Sequence, residues 1–134
     1  MGKLDNLGAI VTGAAEGIGE AIALELASNG AKVACIDFNE KSGSDTAKKI
    51  IDSGGEAVFI KTDISDPDQV KKMVNSSLEF LGSIDILVNN AAKFTFGAVE
   101  DVSQEEWEDI LKVNVIGYST CVKEALPHLK KSGK

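Results

Sequence analysis

A glycine-rich stretch near the N-terminus carries the clearest chemical signal. Residues Thr12–Gly19 read TGAAEGIG and follow directly on the apolar run Ala9–Thr12. Gly13 permits a tight turn, Gly17 lets the backbone approach a pyrophosphate, and Gly19 allows a helix to pack close to a strand. The helix that follows would offer N–H groups and a favourable dipole to phosphate groups. Because the glycines stand between a strand and a helix, they predict a dinucleotide site rather than an ordinary turn.

Asp37 places a carboxylate at the end of the second apolar run, about 25 residues after the glycine-rich stretch begins. A carboxylate there can accept hydrogen bonds from the ribose hydroxyls of an adenosine, and it repels a 2′-phosphate. Glu16 adds a second negative charge within the stretch, two residues before Ile18. We therefore expect NAD to be preferred over NADP, with Glu16 and Ile18 among the contacting residues.

Length and charge narrow the classes of function. The 134 residues suit one compact domain, assigned to residues 1–134. The net charge of −7 argues against a nucleic-acid partner, because phosphate binding needs clustered cations. No apolar stretch is long enough to span a bilayer, and the N-terminus lacks a signal-peptide core, so a cytoplasmic location is expected. Cys35 and Cys121 are interpreted as buried thiols of a reducing compartment.

Short apolar runs alternate with helical patterns along the chain. The runs are continuous rather than interleaved with polar residues, which is typical of parallel strands buried on both faces. They predict an α/β fold: a Rossmann-type doubly wound parallel sheet of strand order 3-2-1-4, ending after the fourth βα unit. A ligand would bind at the carboxyl ends of strands 1 and 4. The predicted strands are Ala9–Thr12, Val33–Ile36, Ala57–Ile60 and Ile84–Val88.

Four helical patterns fill the intervals between the strands. The first is expected to bury a stripe formed by Ile18, Ile22 and Leu26. The third has Asp66 as its N-cap and Pro67 in the first helical position. The remaining signals are Glu40–Ser53 for the second helix, Gln69 completing a box with Asp66, and Ser103 with Glu106 for a fourth helix that extends to about Leu129, with Pro127 weakening its last turns.

The TGxxxGxG pattern of Thr12–Gly19 resembles the short-chain dehydrogenase/reductase family, and the resemblance extends over all 134 residues. The resemblance implies that the Asp63 side chain and the Ile64 backbone N–H face the adenine of the cofactor. It also implies a role for Asn114, which matches a family asparagine that helps to hold a proton-relay water.

A further match follows the fourth predicted strand. Asn89-Asn90-Ala91-Ala92 resembles the family's NNAG motif. The resemblance implies that this segment steadies the sheet and that Asn90 and Ala91 line the ribose beside the nicotinamide. Ala92 departs from the pattern, which has glycine there, and adds a methyl group near the cofactor.

The proton chemistry of the family has no counterpart in these 134 residues. In the family it belongs to a serine on the next strand and to a Tyr-x-x-x-Lys pair on the following helix. Tyr118 is followed four positions later by Val122, and Lys123 lies about 100° off the same helical face. Tyr118 is therefore interpreted as a packing residue. We expect the NAD-binding half of an enzyme that interconverts an alcohol and a ketone, truncated and inactive alone.

Two other readings stay open. The chain could be a stand-alone dinucleotide-binding module without catalysis, or a doubly wound fold for another nucleotide-containing ligand such as a methyl donor. The ordered matches at Asp63, Asn89 and Asn114 count against the second, and a P-loop is excluded because no GK[ST] follows the glycines. His128 lacks ligand partners at useful spacing, so no metal site is predicted. Self-association is expected through the edge of the fourth strand and through the fourth helix.

Overall fold

The computed structural model describes residues Gly2–Lys134, which form a four-stranded sheet flanked by helices on both faces. Its strand order is β3-β2-β1-β4 and all neighbouring pairs are parallel. This confirms the predicted α/β doubly wound sheet. The strands are β1 (Gly8–Thr12), β2 (Lys32–Asp37), β3 (Ala57–Lys61) and β4 (Ile86–Val88).

The helices within residues Gly2–Lys134 alternate with the strands as the sequence predicts. The helix predicted from Ser103 is continuous in its path, but a π-helical segment divides it. The helices are α1 (Gly17–Ser28), α2 (Glu40–Asp52), α3 (Pro67–Leu81), α4 (Gln104–Leu111), the π-helical segment (Lys112–Gly117) and α5 (Tyr118–Ser132).

Burial on both faces of the sheet explains the continuous apolar runs. Alternate side chains of β1 and β2 enter two separate cores. One core holds Ile10 and Ile36 and is covered by α3 and α5, whereas the other holds Val33 and Cys35 and is covered by α1 and α2. The loops after β1 and β2 therefore lead to helices on one face of the sheet, and the loop after β3 leads to a helix on the other face.

Three predictions were wrong in part. Ile22 and Leu26 of the predicted stripe pack against the core beside the buried Gly19 and Ala23, but Ile18, in the first turn of α1, is 74% exposed. The last helix passes Pro127 and ends at Ser132, since Pro127 lies exposed, where the carbonyl that loses its partner can be hydrated. β4 begins at Ile86 instead of Ile84, although Ile84 is fully buried.

The predicted helix starts are confirmed, with one change of partner. Ser103 and Glu106 form a reciprocal capping box. Asp66 caps α3, but the Gln69 side-chain oxygen accepts from the Asp63 N–H and so ties the helix to the loop before it.

The cysteines and the helix lengths agree with the sequence interpretation. Cys35 and Cys121 are buried free thiols, and burial raises their pKa values to about 12 and about 11, so both stay protonated and unreactive. Among residues 2–134, no helix is both long and apolar enough to cross a membrane.

Asp85, which directly precedes β4, fixes one end of the sheet. Its carboxylate accepts from the Gly8 N–H at 2.8 Å, from the Ser83 hydroxyl at 2.7 Å and from the Ser132 hydroxyl at the end of α5. Its own N–H donates to the Gly8 carbonyl at 2.9 Å. Partial burial raises the pKa of Asp85, but these hydrogen bonds together outweigh burial and the pKa lies below its usual range.

We predict that Asp85→Asn lowers the free energy of unfolding by about 1–3 kcal/mol at neutral pH, because a charged acceptor is lost. The pKa is lowered in the folded state, so this stabilisation is complete above the unfolded-state pKa of about 4 and is lost as the pH falls through the folded-state value. The gap between wild type and variant should close in acid. Urea unfolding across pH measures it, with exposed Asp101→Asn as control, and a gap independent of pH would contradict the assignment.

Candidate functional site

A cleft of about 570 Å³ opens at the carboxyl ends of the strands, where the order of the sheet reverses. Its walls come from the loops after all four strands and from α4 with the π-helical segment. Its lining contains seven of the ten residues predicted to bind cofactor: Gly13, Glu16, Asp37, Asp63, Ile64, Asn90 and Ala91. The other three, Gly17, Ile18 and Gly19, form the first turn of α1 directly after the loop.

The glycines of the loop have distinct roles. Gly13 adopts φ +67°, and a Cβ there would lie 2.7 Å from the Ala91 Cα. Gly19 lies so close to the loop that a Cβ would stand 1.9 Å from the Gly13 carbonyl oxygen. Gly17 adopts φ +60°, but its missing side chain would meet only open space. The first and third glycines thus allow close packing, and the second leaves backbone accessible from outside.

The N-terminus of α1 differs from those of the three following helices. Asn39, Asp66 and Ser103 cap α2, α3 and α4 with their side chains. Within the described residues, the Glu16 side chain makes no cap hydrogen bond to α1. The first-turn N–H groups of α1 therefore keep the capacity to bind an anion.

Asp37 holds the glycine loop in place. Its carboxylate accepts from the Ala15 N–H at 3.0 Å and from the Asn39 N–H at 2.9 Å. The buried Thr46 hydroxyl lies 3.3 Å from the Ala15 carbonyl and 3.2 Å from the Ser42 carbonyl, so α2 offers the loop a second contact beside that from β2. Because each carboxylate oxygen has two lone pairs, Asp37 can still accept from a ligand.

The ends of β1 and β4 are joined through Thr12. Its fully buried hydroxyl donates to the Val88 carbonyl at 3.2 Å and accepts from the N–H groups of Asn90 at 3.0 Å and Ala91 at 3.1 Å. The Asn90 amide donates to the Thr12 and Gly13 carbonyls, both at 3.2 Å. The loops after β1 and β4 are consequently held together as one rigid part of the cleft.

Asp63 and Ile64 reach the cleft in different ways. The Asp63 carboxylate accepts from the N–H of Ser65 at 2.9 Å and from its hydroxyl at 2.7 Å, which fixes the carboxylate after β3. The Ile64 side chain is only 6% exposed and packs in the core. Recognition by Ile64 would therefore depend on its backbone, as the resemblance implies.

Asn114 lies in the π-helical segment, outside the cleft lining, and is bound to the loop after β4. Its side chain accepts from the Lys93 N–H at 2.8 Å and donates to the Lys93 carbonyl at 2.7 Å. Both polar atoms of the Asn114 side chain are therefore engaged by the Lys93 backbone. Nearby, the Asn89 amide donates to the Tyr118 carbonyl at 3.4 Å, while the buried Asn89 Oδ1 has no partner among the described residues.

Charge is distributed unevenly over the cleft. Glu16, Asp37 and Asp63 stand on the side of β1 to β3. On the opposite side, the Asp109 carboxylate lies 3.0 Å from the Lys93 ammonium and 3.7 Å from that of Lys112. The hydrogen bond from Lys93 holds the pKa of Asp109 below its usual range.

Tyr118 shows no sign of activation for proton transfer. Desolvation and, secondarily, the nearby Cys121 raise the pKa of its phenol, whereas catalysis near neutral pH would need a lowered value. The Tyr118 side chain packs against the core beneath α5. This agrees with its interpretation as a packing residue.

Sequence reasoning missed several residues of the cleft. Phe38, which directly follows Asp37, is 69% exposed and has the Lys61 ammonium 5.9 Å from its ring centroid. Its position after a strand end was an available signal, but Lys93, Asp109 and the others gave none until the tertiary contacts were known. The missed lining residues are Ile36, Phe38, Thr62, Ser65, Lys93, Asp109, Lys112 and Val113.

Comparison with known proteins identifies the family. Residues 8–134 match the family model described as short chain dehydrogenase. The chain belongs to the short-chain dehydrogenase family. It is 38% identical over 136 residues to a versicolorin reductase of Emericella nidulans, covering 98% of this chain and 50% of that protein. It is 40% identical over 124 residues to an uncharacterized oxidoreductase of Thermotoga maritima, covering 92% of this chain and 49% of that protein.

Solved structures of short-chain dehydrogenases share the fold. A short-chain dehydrogenase/reductase from Burkholderia phymatum in complex with NAD superimposes with a TM-score of 0.93 at 30% identity, over 100% of this chain and 48% of that one. A hydroxysteroid dehydrogenase from Escherichia coli gives 0.91 at 29% identity, over 97% and 55%. The chain thus spans about half the length of the relatives it matches.

We predict that Gly19→Ala lowers the free energy of unfolding by about 3 kcal/mol, since the new methyl group overlaps the Gly13 carbonyl and α1 must move. Gly17→Ala is the matched comparison, because it places alanine at positive φ in open space and should cost only about 1 kcal/mol. Urea unfolding of both variants measures the difference. Equal losses would contradict the close approach of α1 to the loop.

Proposed function

We propose that this chain is the NAD-binding part of a short-chain dehydrogenase that interconverts an alcohol and a ketone by hydride transfer. The observation that carries the proposal is the organised glycine loop beside the uncapped start of α1, with Asp37 at the end of the neighbouring strand. Family membership supports it, because short-chain dehydrogenases bind a nicotinamide dinucleotide.

The residues of the cleft fit such a cofactor. The open backbone at Gly17 and the N–H groups of α1 would receive the pyrophosphate. Asp37 would accept from the hydroxyls of the adenosine ribose, and Asp63 with the Ile64 backbone would contact adenine. Asn90 and Ala91 would line the ribose beside the nicotinamide. Bound NAD would supply the hydride acceptor or donor, while these residues bind and orient it.

The preference for NAD over NADP rests on charge. Glu16 and Asp37 are acidic and stand where a 2′-phosphate would need a cation. Lys61, which stands opposite Asp37 in the register of β2 and β3, lies 3.6 Å from the Glu40 carboxylate, which offsets its charge. A 2′-phosphate would therefore meet repulsion that a ribose hydroxyl would not.

Catalysis would need groups that these 134 residues do not supply. We propose that the isolated chain binds NAD without turnover, with Asn114 in a supporting role. A stand-alone binding module is the alternative, and it predicts the same binding. The two are separated by adding a separately produced polypeptide that carries the second half of a short-chain dehydrogenase, because only the enzyme proposal expects NADH formation from an alcohol in the mixture.

The decisive prediction concerns cofactor choice. Calorimetric titration should show saturable binding of NADH that is tighter than that of NADPH. Asp37→Asn should shift the NADPH-to-NADH affinity ratio towards NADPH by about tenfold, because one repulsive charge is removed. The variant also loosens the glycine loop, but that loss weakens the binding of NADH and of NADPH alike and so does not change their ratio. Exposed Asp45→Asn is the control, and an unchanged ratio for Asp37→Asn, or no binding to wild type, would refute the assignment.

Self-association is part of the proposal. β4 is half-buried along its length and pairs with β1 on one side only. The π-helical segment and α5 expose Val115, Ile116, Val122 and Leu126. Apolar surface of this kind favours association.

We predict that sedimentation velocity shows dimers or larger species at micromolar concentration. Replacing exposed Val122 and Leu126 by serine should shift the distribution towards monomer, and the same change at exposed Ile51, on α2, should not. A wild-type monomer over the whole concentration range would contradict the proposal.

A further inference from the structure

Lys93 is held at three points by the helix that faces the cleft. Asn114 accepts from its N–H at 2.8 Å and donates to its carbonyl at 2.7 Å. Asp109 accepts from its ammonium group at 3.0 Å. A single loop residue is thus fixed through its backbone and its side chain at once.

The contacts of Lys93 fix one end of a short backbone segment, residues 90–93, that lines the cleft. Asn90 and Ala91 are bound to the Thr12 hydroxyl at the end of β1. Lys93, two residues later, is bound to Asp109 on α4 and to Asn114. The segment 90–93 is therefore suspended between β1 and α4, and its position depends on both attachments.

Asp109 also separates two positive charges. Its carboxylate lies 3.0 Å from the Lys93 ammonium and 3.7 Å from the Lys112 ammonium, and all three residues line the cleft. Without that carboxylate, the two lysines would repel each other across the contact between loop and helix. The repulsion would oppose the hydrogen bonds of Asn114, which are neutral and weaker than charge-assisted ones.

We propose that Asp109 is a positioning residue that sets the wall of the cofactor cleft, by joining Lys93 and Lys112 and so fixing segment 90–93. The effect on cofactor affinity rests on the proposed function, whereas the effect on the loop does not. The partners are partly exposed, and such ion pairs contribute modestly. The expected change in NADH affinity is therefore a loss of about three- to fivefold.

The test compares NADH affinities of matched variants of the 134-residue chain by calorimetry. Asp109→Asn should weaken binding by about three- to fivefold, and Lys93→Met should weaken it similarly. Lys93→Arg should retain the wild-type affinity. Glu108→Gln, which removes a carboxylate from the exposed neighbouring position of α4, should change nothing.

Coupling and salt separate positioning from a general loss of structure. The double variant Asp109→Asn with Lys93→Met should bind no more weakly than either single variant. In about 1 M salt, which screens exposed charges beyond roughly 3 Å, the gap between wild type and Asp109→Asn should fall below about twofold. Additive losses, or a gap independent of salt, would overturn the inference.

Hydrogen exchange gives a readout that needs no cofactor. The Lys93 amide, which donates to Asn114, should exchange faster in Asp109→Asn than in wild type or Glu108→Gln. An unchanged rate overturns the inference, even where NADH binds as proposed. If wild type binds no NADH, the proposed function fails, and the exchange rate still decides whether Asp109 positions the loop.

Discussion

The buried hydroxyl of Thr12, at the end of β1, is hydrogen-bonded to the end of β4 and to the loop after it. The strand order reverses between β1 and β4, and the geometry of the cleft depends on this junction. β1 pairs with β2 on one side and with β4 on the other. The chain leaves β1 towards α1 on one face, and after β4 it reaches α4 and α5, the latter on the other face. Three hydrogen bonds at Thr12 keep these two exits together. An unpaired buried polar group costs about 1–3 kcal/mol, so each loop resists separation from the other.

This junction depends on the absence of side chains at two glycines, which lets neighbouring backbone segments pack against it. Gly13 leaves room for the loop after β4, since a Cβ there would lie 2.7 Å from the Ala91 Cα. Gly19 leaves room for α1 to approach the end of β1, since a Cβ there would lie 1.9 Å from the Gly13 carbonyl oxygen. The sheet beneath is rigid because β1 and β2 are buried on both faces and pack into two cores. The requirements are thus nested: the cores fix the strands, the strands fix the junction, and the junction fixes the loops.

Local patterns were sufficient to predict the element order, the strand order and the glycine loop with Asp37, whereas Asp63, Ile64, Asn90 and Ala91 of the cleft came from the family resemblance. The glycine spacing, the continuous apolar runs and the caps at Asp66 and Ser103 each depend on residues close in sequence. The failures have a different origin. Ile18 looked like a core residue because its spacing was helical, yet it lies in the first turn of α1, and only Ile22 and Leu26 of the stripe pack against the core. The Lys93 contacts join residues 16 and 21 positions apart, for which periodicity carries no signal.

The two walls of the cleft are consequently stabilised by different forces. The wall at α1 is built from close backbone contacts and from hydrogen bonds to Asp37, of which the one from the Ala15 N–H is partly buried. The wall after β4 depends at its outer end on the exposed pairs of Asp109 with two lysines. Ionic strength weakens exposed pairs and leaves close packing unaffected. The first wall is therefore less sensitive to ionic strength than the second, whose position ions in solution can alter.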